Sequence, residues 1–338
     1  LAPQPYMDNF LDKIFFRSRN LDYISQNLIN LTTQTPAKRI FEALNTYSES
    51  SEVRYVGGCV RKVIKKETVD DIDLATNLVP SEVCDALKKQ NINFYETGIQ
   101  HGTITAIIDD HKYEITSLRK DVSTDGRHAK VEFSSDWKED AARRDFSINS
   151  IYSDKNGNLF DPYNGKKDLE SGNINFIGES ENRIKEDYLR ILRYVRFFIN
   201  YSNHGHDLNI IRKIKKNIGG VSKLSSERLL DEFKKLTKSN AFLKIFNDKI
   251  SLELIEIIFP QLKNLENFKK LNSHAIHNLV KVDFIFLLSL LIVDGSDNTD
   301  YFLYKFNISK KDQKRLKSID FFYKENVSIK NFNEKNFN

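Results

Sequence analysis

The chain has 338 residues, 40% of them hydrophobic and 29% charged, with a formal net charge of +5. That length and balance suit a globular protein of two or three domains with a sizeable core. Its two cysteines, Cys59 and Cys84, lack metal-ligand spacing and exclude a disulfide scaffold. The longest apolar run, "FIFLLSLLIV" from Phe284, is roughly half of what a membrane-spanning helix needs.

Residues 1–50 read as helices, because "NLDYISQNLINL" and "AKRIFEALNTY" carry apolar residues near helical spacing. From Arg54 the character changes. "RYVGGCV", "DIDLAT", "GTITAIID" and "KYEITSLR" are rich in β-branched and aromatic residues, and predict strands. "IIDDHKYEI" predicts a hairpin turning at Asp109 to His111. "VPSEVCDALKKQN" predicts a helix entered through Pro80 and Ser81. The polar stretch Arg119 to Asp136, with Gly126, reads as a mobile loop. "DWKEDAARRDFSINSIYSD" reads as helix, and "NGNLFDPYNGKKDLESG" as successive turns. From Asn182 onward the pattern is almost entirely helical. The fold class expected is therefore α+β, a small mixed or antiparallel sheet followed by a helical array.

Charge is unevenly spread. Between Arg183 and Lys238 there are fourteen Lys or Arg against six Asp or Glu, which fits either a phosphate-facing surface or a solvated helical face. No signal peptide is legible, so a cytoplasmic location without membrane or obligate protein partner is expected. The start at Leu1, the single methionine Met7 and the ending "NFNEKNFN" lead to the expectation of a fragment that lacks a C-terminal element.

The span "YVGGCVRKVIKKETVDDIDLAT", Tyr55 to Thr76, concentrates the chemistry. Asp71 and Asp73 are two apart, so on a strand both carboxylates point to one face while Ile72 and Leu74 point to the core. Such a pair suits Mg2+, which prefers one or two carboxylates plus phosphate oxygens. The plainer alternative is an acidic strand end at a turn. Upstream, Gly57 and Gly58 stand between a strand and the helical "CVRKVIKK", where a backbone without side chains lets a phosphate approach closely. Arg61 falls one turn into that helix. Glu114 on "KYEITSL" is a third carboxylate near the metals if its strand borders Asp71 and Asp73, and otherwise a surface acid.

"GGCVR…DIDLAT" resembles the signature of the class II branch of the nucleotidyltransferase superfamily, which comprises CCA-adding tRNA nucleotidyltransferases and bacterial poly(A) polymerases. "GIQHGTIT", "YEITSLR", "DGRH", "ARRDFSINSIY", "DPYNGKKDL", "RIKEDYLRILRYVRF" and "SSERLLDEF" follow in family order. The resemblance runs from about Tyr55 to about Lys235. One departure is Lys62, where the family usually has an acid; it implies weaker support of Arg61 or a changed local ion pair.

The resemblance implies that Arg143, Arg144 and Asp145 contribute to the nucleotide site, with Asn149 one helical turn on; an exposed helix with paired charges is the alternative. It implies that Asp187 and Arg190, neighbours at i and i+3, act as an amino-acid template for incoming CTP and ATP. Cytosine and adenine both present a donor beside a ring acceptor, whereas guanine and uracil present the reverse. Arg193 and Arg196 continue the spacing but drift about 60° per step. They contact the nucleotide, a phosphate or a neighbouring helix. Leu189, Leu192, Val195 and Ile199 supply that helix's apolar face. Glu227 and Arg228 of "SSERLLDEF" support the template helix or sit on an ordinary capped helix.

The expected organisation is a helical extension over residues 1–45, a catalytic head over 46–160, a helical neck for nucleotide selection and RNA binding over 161–238, and a helical body over 239–338. The expected function is template-independent addition of CCA to tRNA 3′ ends from CTP and ATP, with Mg2+, or else poly(A) synthesis, partial CC or A addition, or non-catalytic RNA binding.

Overall fold

The computed structural model describes residues 22–124, 129–239, 241–279 and 281–326. The helical reading of residues 1–21 and the loop reading of 125–128 lie outside them. The chain divides into two compact units, Leu1–Val122 with Val131–Lys166, and Ser123–Lys130 with Lys167–Asn338.

The first unit opens with helices α1 (Tyr23–Thr33) and α2 (Ala37–Asn45). Strand β1 (Val53–Val56), helix α3 (Gly58–Ile64) and strand β2 (Ile72–Thr76) follow. Helix α4 (Pro80–Lys89) then leads to β3 (Asn93–Gly98), β4 (Thr103–Ile108) and β5 (His111–Ser117). Pro80 opens α4 as expected, but the Val79 N–H donates to Glu82 Oε2 at 3.0 Å, so Glu82 rather than Ser81 caps it. The β4–β5 turn is the pair Asp109-Asp110, both with positive φ, and Ile108 faces His111 across it. With β8 (Tyr152–Ser153) and β9 (Leu159–Phe160), these strands form one seven-stranded sheet in the order β3-β4-β5-β2-β1-β8-β9. Only β2 and β5 pair in parallel, so the sheet is mixed.

Alternation along the strands gives the sheet two different faces. Tyr55, Leu74, Tyr113 and Ile115 share one face and are buried. Tyr55 meets α1 and α2 there, its hydroxyl 2.9 Å from Thr32 Oγ1 and its ring 4.8 Å from Phe41. Val56, Ala75 and Tyr152 belong to the other face and pack with Leu118 and Ala141 in a smaller core. Asp73 and Glu114 lie on this second face, beyond the apolar patch.

Two expectations are corrected here. Residues 119–124 and 129–133 are not loop but strands β6 (Arg119–Thr124) and β7 (Ala129–Phe133), which pair as a separate two-stranded sheet. The stretch has β-compatible Val122, Val131 and Phe133, but its polar residues mask them in the sequence pattern. Nor does the segment after Asp136 stay helical. Helix α5 (Trp137–Ala142) ends before Arg143, and the chain turns through a 3₁₀ segment, Ser147–Asn149, into β8. β-branched and aromatic residues in "DFSINSIY" favour that return to the sheet.

Helix α6 (Gly165–Ser171) precedes the helical unit, whose first members are α7 (Ser180–Glu186), α8 (Leu189–Tyr201), α9 (Leu208–Asn217), α10 (Ser226–Thr237) and α11 (Lys249–Ile258). Leu189, Leu192, Val195 and Ile199 are buried along α8 as their spacing predicts. Tyr194, Phe197 and Phe198 are buried too, so the helix is packed on most of its circumference. Further helices continue to Asn326, and Leu287, Leu288, Leu291 and Ile292 of the long apolar run are buried. No helix among the described residues is long and apolar enough to cross a membrane.

Candidate active site

The parallel β2–β5 pairing sets Asp73 directly opposite Glu114. Paired residues share a face, so these two carboxylates are neighbours, and Asp71 lies in the chain just before β2. Burial pushes the Asp73 carboxyl above the ordinary carboxylate range. The Glu114 charge adds to that rise and Asp71 contributes, while Arg144 and Arg61 oppose it. Clustered hard oxygen donors of this kind suit a divalent cation. Among the described residues no group of three or more His, Cys, Asp or Glu is preassembled around one metal position.

The Gly57-Gly58 turn lies against the same spot. Gly57 has φ +67° and ψ −113°, a conformation that a side chain would strain. A Cβ there would lie 3.7 Å from Arg144 Nη1 and 3.6 Å from the Asn149 carbonyl. One on Gly58 would lie 3.9 Å from both Asp73 Oδ2 and Arg61 Nη2. The bare backbone therefore runs between two arginines and a carboxylate.

Those arginines are held from behind. Buried Arg61 donates through Nη1 to Asn149 Oδ1, and Asn149 Nδ2 donates to Asp145 Oδ1 at 2.8 Å. Asp145 and Asn149 are joined by this hydrogen bond and not by a shared helix, which corrects the helical-turn expectation. The Phe146 N–H also donates to Asp145 Oδ1, at 2.9 Å. Lys62, the family departure, pairs with Asp70, the first acid of "DDID". A changed local ion pair is thus present, and Asn149 supports Arg61.

Asp140 belongs to none of the motifs that the sequence singles out. It is 1% exposed and accepts from both arginines of "RRD". Arg143 Nε donates to its Oδ1 at 2.8 Å, and Arg144 Nη2 to its Oδ2 at 3.2 Å. The Tyr152 hydroxyl donates to Oδ2 at 2.6 Å and accepts from Arg144 Nε at 2.9 Å. Burial works to raise the Asp140 carboxyl. The Arg144 and Arg143 charges and the Tyr152 hydroxyl outweigh it and hold it at about 2. The signal that the sequence does carry is its spacing, three and four residues before the arginines.

In the helical unit, Asp187 is not on one helix with Arg190. It lies in the break after α7, in extended conformation, and α8 begins at Leu189. The expectation of a shared helix face is corrected. Asp187 Oδ1 accepts the Leu189 N–H at 3.1 Å, and its backbone carbonyl accepts the Arg190 N–H at 3.0 Å. Its Oδ2 accepts from Arg228 Nη2 of α10 at 2.7 Å. Arg190 Nη1 donates to Glu186 Oε2 and to the Arg183 carbonyl, each at 2.7 Å. Arg193 lies over the Phe197 ring at 5.6 Å. Arg196 pairs with buried Glu232, so it contacts the neighbouring helix α10. Glu186 and Glu232 fall within the quoted motifs, but no sequence signal gives their partners, which helix termini and packing fix.

Residues 53–175 match the family described as "Poly A polymerase head domain", and 208–266 the one described as "Probable RNA and SrmB-binding site of polymerase A". Over residues 53–175 the chain is thus similar to the poly(A) polymerase head-domain family. It is 39% identical over 231 residues to "CCA tRNA nucleotidyltransferase 1, mitochondrial" of Homo sapiens, a match covering 67% of this chain and 53% of that protein. It is 35% identical over 207 residues to a "CCA-adding enzyme" of Lactobacillus delbrueckii, covering 61% and 51%. The chain thus spans about half the length of these relatives. Its fold is also that of a solved tRNA nucleotidyltransferase complexed with a primer tRNA and an incoming ATP analog. That match has a TM-score of 0.63 at 21% identity and covers 86% of this chain and 87% of the other. The resemblance to the class II nucleotidyltransferases and the α+β expectation are both borne out.

Proposed function

We propose that this chain is a template-independent tRNA nucleotidyltransferase that adds CCA to tRNA 3′ ends from CTP and ATP. The tRNA 3′-oxygen bonds to the nucleotide α-phosphorus, the bond to the β-phosphate bridge breaks, and pyrophosphate leaves. The reading rests on one conjunction: Asp73 and Glu114 on paired strands, beside a bare glycine turn and the Arg144 guanidinium.

Mg2+ is assigned to Asp71 and Asp73, with Glu114 as a third carboxylate. When bound, it supplies charge neutralisation for the triphosphate and a more acidic 3′-hydroxyl. Gly57 and Gly58 admit the phosphates, and Arg61, Arg143 and Arg144 supply positive charge to them. Asp145 and Asn149 keep Arg61 in place and face the sugar. Asp187 accepts from the exocyclic amine of cytosine or adenine, and Arg190 donates to the ring nitrogen beside it. A carboxylate has about four acceptor sites, so the Leu189 and Arg228 bonds leave Asp187 room for a base. Guanine and uracil would set a carbonyl oxygen against Asp187 and a ring N–H against Arg190, a mismatch that disfavours them. Arg193 and Arg196 hold α8 and its surroundings. The proposed organisation is a catalytic head over 46–160, a neck over 161–238 and a body over 239–338, with residues 1–45 as an extension. Location in the cytoplasm is part of the proposal, resting on two free buried cysteines, and cell fractionation checks it against the mitochondrial placement in the human relative's name.

A second reading, poly(A) synthesis, is favoured by the two family descriptions. Incorporation with Mg2+ on transcripts ending at the discriminator base, at CC and at CCA separates the two. Two Cs and one A followed by a halt support CCA addition. A single A on the CC transcript alone means an A-adder, and unlimited A tracts mean a poly(A) polymerase. No incorporation by a protein that binds neither CTP nor ATP overturns the reading.

A further inference from the structure

The buried side chain at position 140 has no place in the reading above, yet it is the hub of the arginine cluster. One carboxylate serves two guanidinium groups and a phenol, and its Oδ1 lies 3.4 Å from the backbone N–H of Arg119, at the start of β6. Arg144, tethered in this way, is the group that a Gly57 side chain would meet at 3.7 Å, and its charge acts on Asp73.

We propose that Asp140 is a positioning residue for nucleotide binding: its carboxylate, braced by Tyr152, fixes Arg143 and Arg144 relative to the glycine turn. The proposal deepens the functional reading and rests on it. A guanidinium on a long side chain has many rotamers, and binding a triphosphate would otherwise cost the entropy of ordering two of them. A fixed planar fork loses less entropy with each hydrogen bond it makes. The carboxylate suits this task because it accepts at both oxygens, so one group orients both arginines. The Tyr152 hydroxyl closes the set. It donates to Asp140 and accepts from Arg144, and its ring lies in the apolar floor beneath, against Trp137 at 5.5 Å and Phe160 at 5.9 Å. The sheet thereby holds the arginines through two linked side chains.

The test uses Asp140→Asn, which keeps the size and removes the charge, with Asp140→Glu as the conservative variant and Tyr152→Phe as the mild one. The full chain is assayed for CTP and ATP incorporation on a transcript lacking CCA, and for CTP binding by titration without tRNA. KM for both nucleotides should rise about tenfold in Asp140→Asn, with CTP affinity falling in parallel and kcat changing less. Asp140→Glu should recover part of that loss, and Tyr152→Phe should shift KM by about threefold. Unchanged KM and CTP affinity with a lower kcat or active fraction would show a merely structural residue and overturn the proposal. If Asp140→Asn does not fold, an unchanged KM in Tyr152→Phe overturns it equally. Wild-type protein that fails to bind CTP overturns the functional reading itself; wild-type binding with unaffected variants overturns this inference alone.

Discussion

In the sheet-bearing unit, burial and the neighbouring charges of Glu114 and Asp71 oppose the ionisation of Asp73. In the helical unit the candidate side chains are balanced within the fold: Asp187 by Arg228, Arg190 by Glu186, Arg196 by Glu232. A folded chain tolerates like charges side by side mainly where a ligand will relieve them, whereas matched pairs also shape the fold around them. The first region is therefore expected to trade stability for chemistry, and the second to couple stability to selection.

The largest break in this comparison comes from Asp73→Asn. Incorporation should fall about a thousandfold or more, while the melting temperature stays level or rises. The sign follows from the raised carboxyl: its ionised form weakens the fold above that value and ceases to do so as pH falls through it. A large loss of melting temperature would refute the assignment of strain to this site. Next, Arg190→Ala should reduce discrimination against GTP and UTP by about a hundredfold with little change in tRNA affinity. Competition between labelled nucleotides measures it, and unchanged choice would mean the base is read elsewhere.

Glu232→Gln sharpens the contrast. It removes a buried carboxylate charge from beside half-buried Arg196 and should cost about 3 kcal/mol in denaturant unfolding. The smallest effect concerns His206, stacked on Phe198 at 3.5 Å, bonded to Asp248 at 2.9 Å and 3.0 Å from the Tyr194 hydroxyl. Burial lowers its pKa, and Asp248 offsets that only in part. The neutral ring is favoured in the fold, so its contribution is present above about pH 6.5 and is lost as pH falls towards the lower folded value. His206→Gln should flatten the pH dependence of thermal melts taken across that window, and an unchanged dependence would refute the assignment.

The candidate site is legible in the sequence where a local repeat carries it. Period-two alternation alone puts Asp71 and Asp73 on one face and Ile72 and Leu74 on the other, because strand geometry needs only neighbouring residues. The glycine pair and Arg61 stand out by their place between strand and helix. Helical spacing similarly marks the buried side of α8. What stays hidden depends on partners distant in sequence or on where elements stop. Glu114 reaches Asp73 only because β2 and β5 pair in parallel, in register. Arg228 is 41 residues from Asp187, and Glu232 is 36 from Arg196. The helix ends at Ala142 and Glu186 turn two expected helix faces into junctions, and Asp140 becomes a hub only once β8 brings Tyr152 beneath it. The sequence by itself determined which residues carry charge, flexibility and apolar faces, since these follow from chemistry and local periodicity. Only the tertiary structure decided which charges are matched and which are left opposed, because that depends on strand register and packing between elements far apart in the chain.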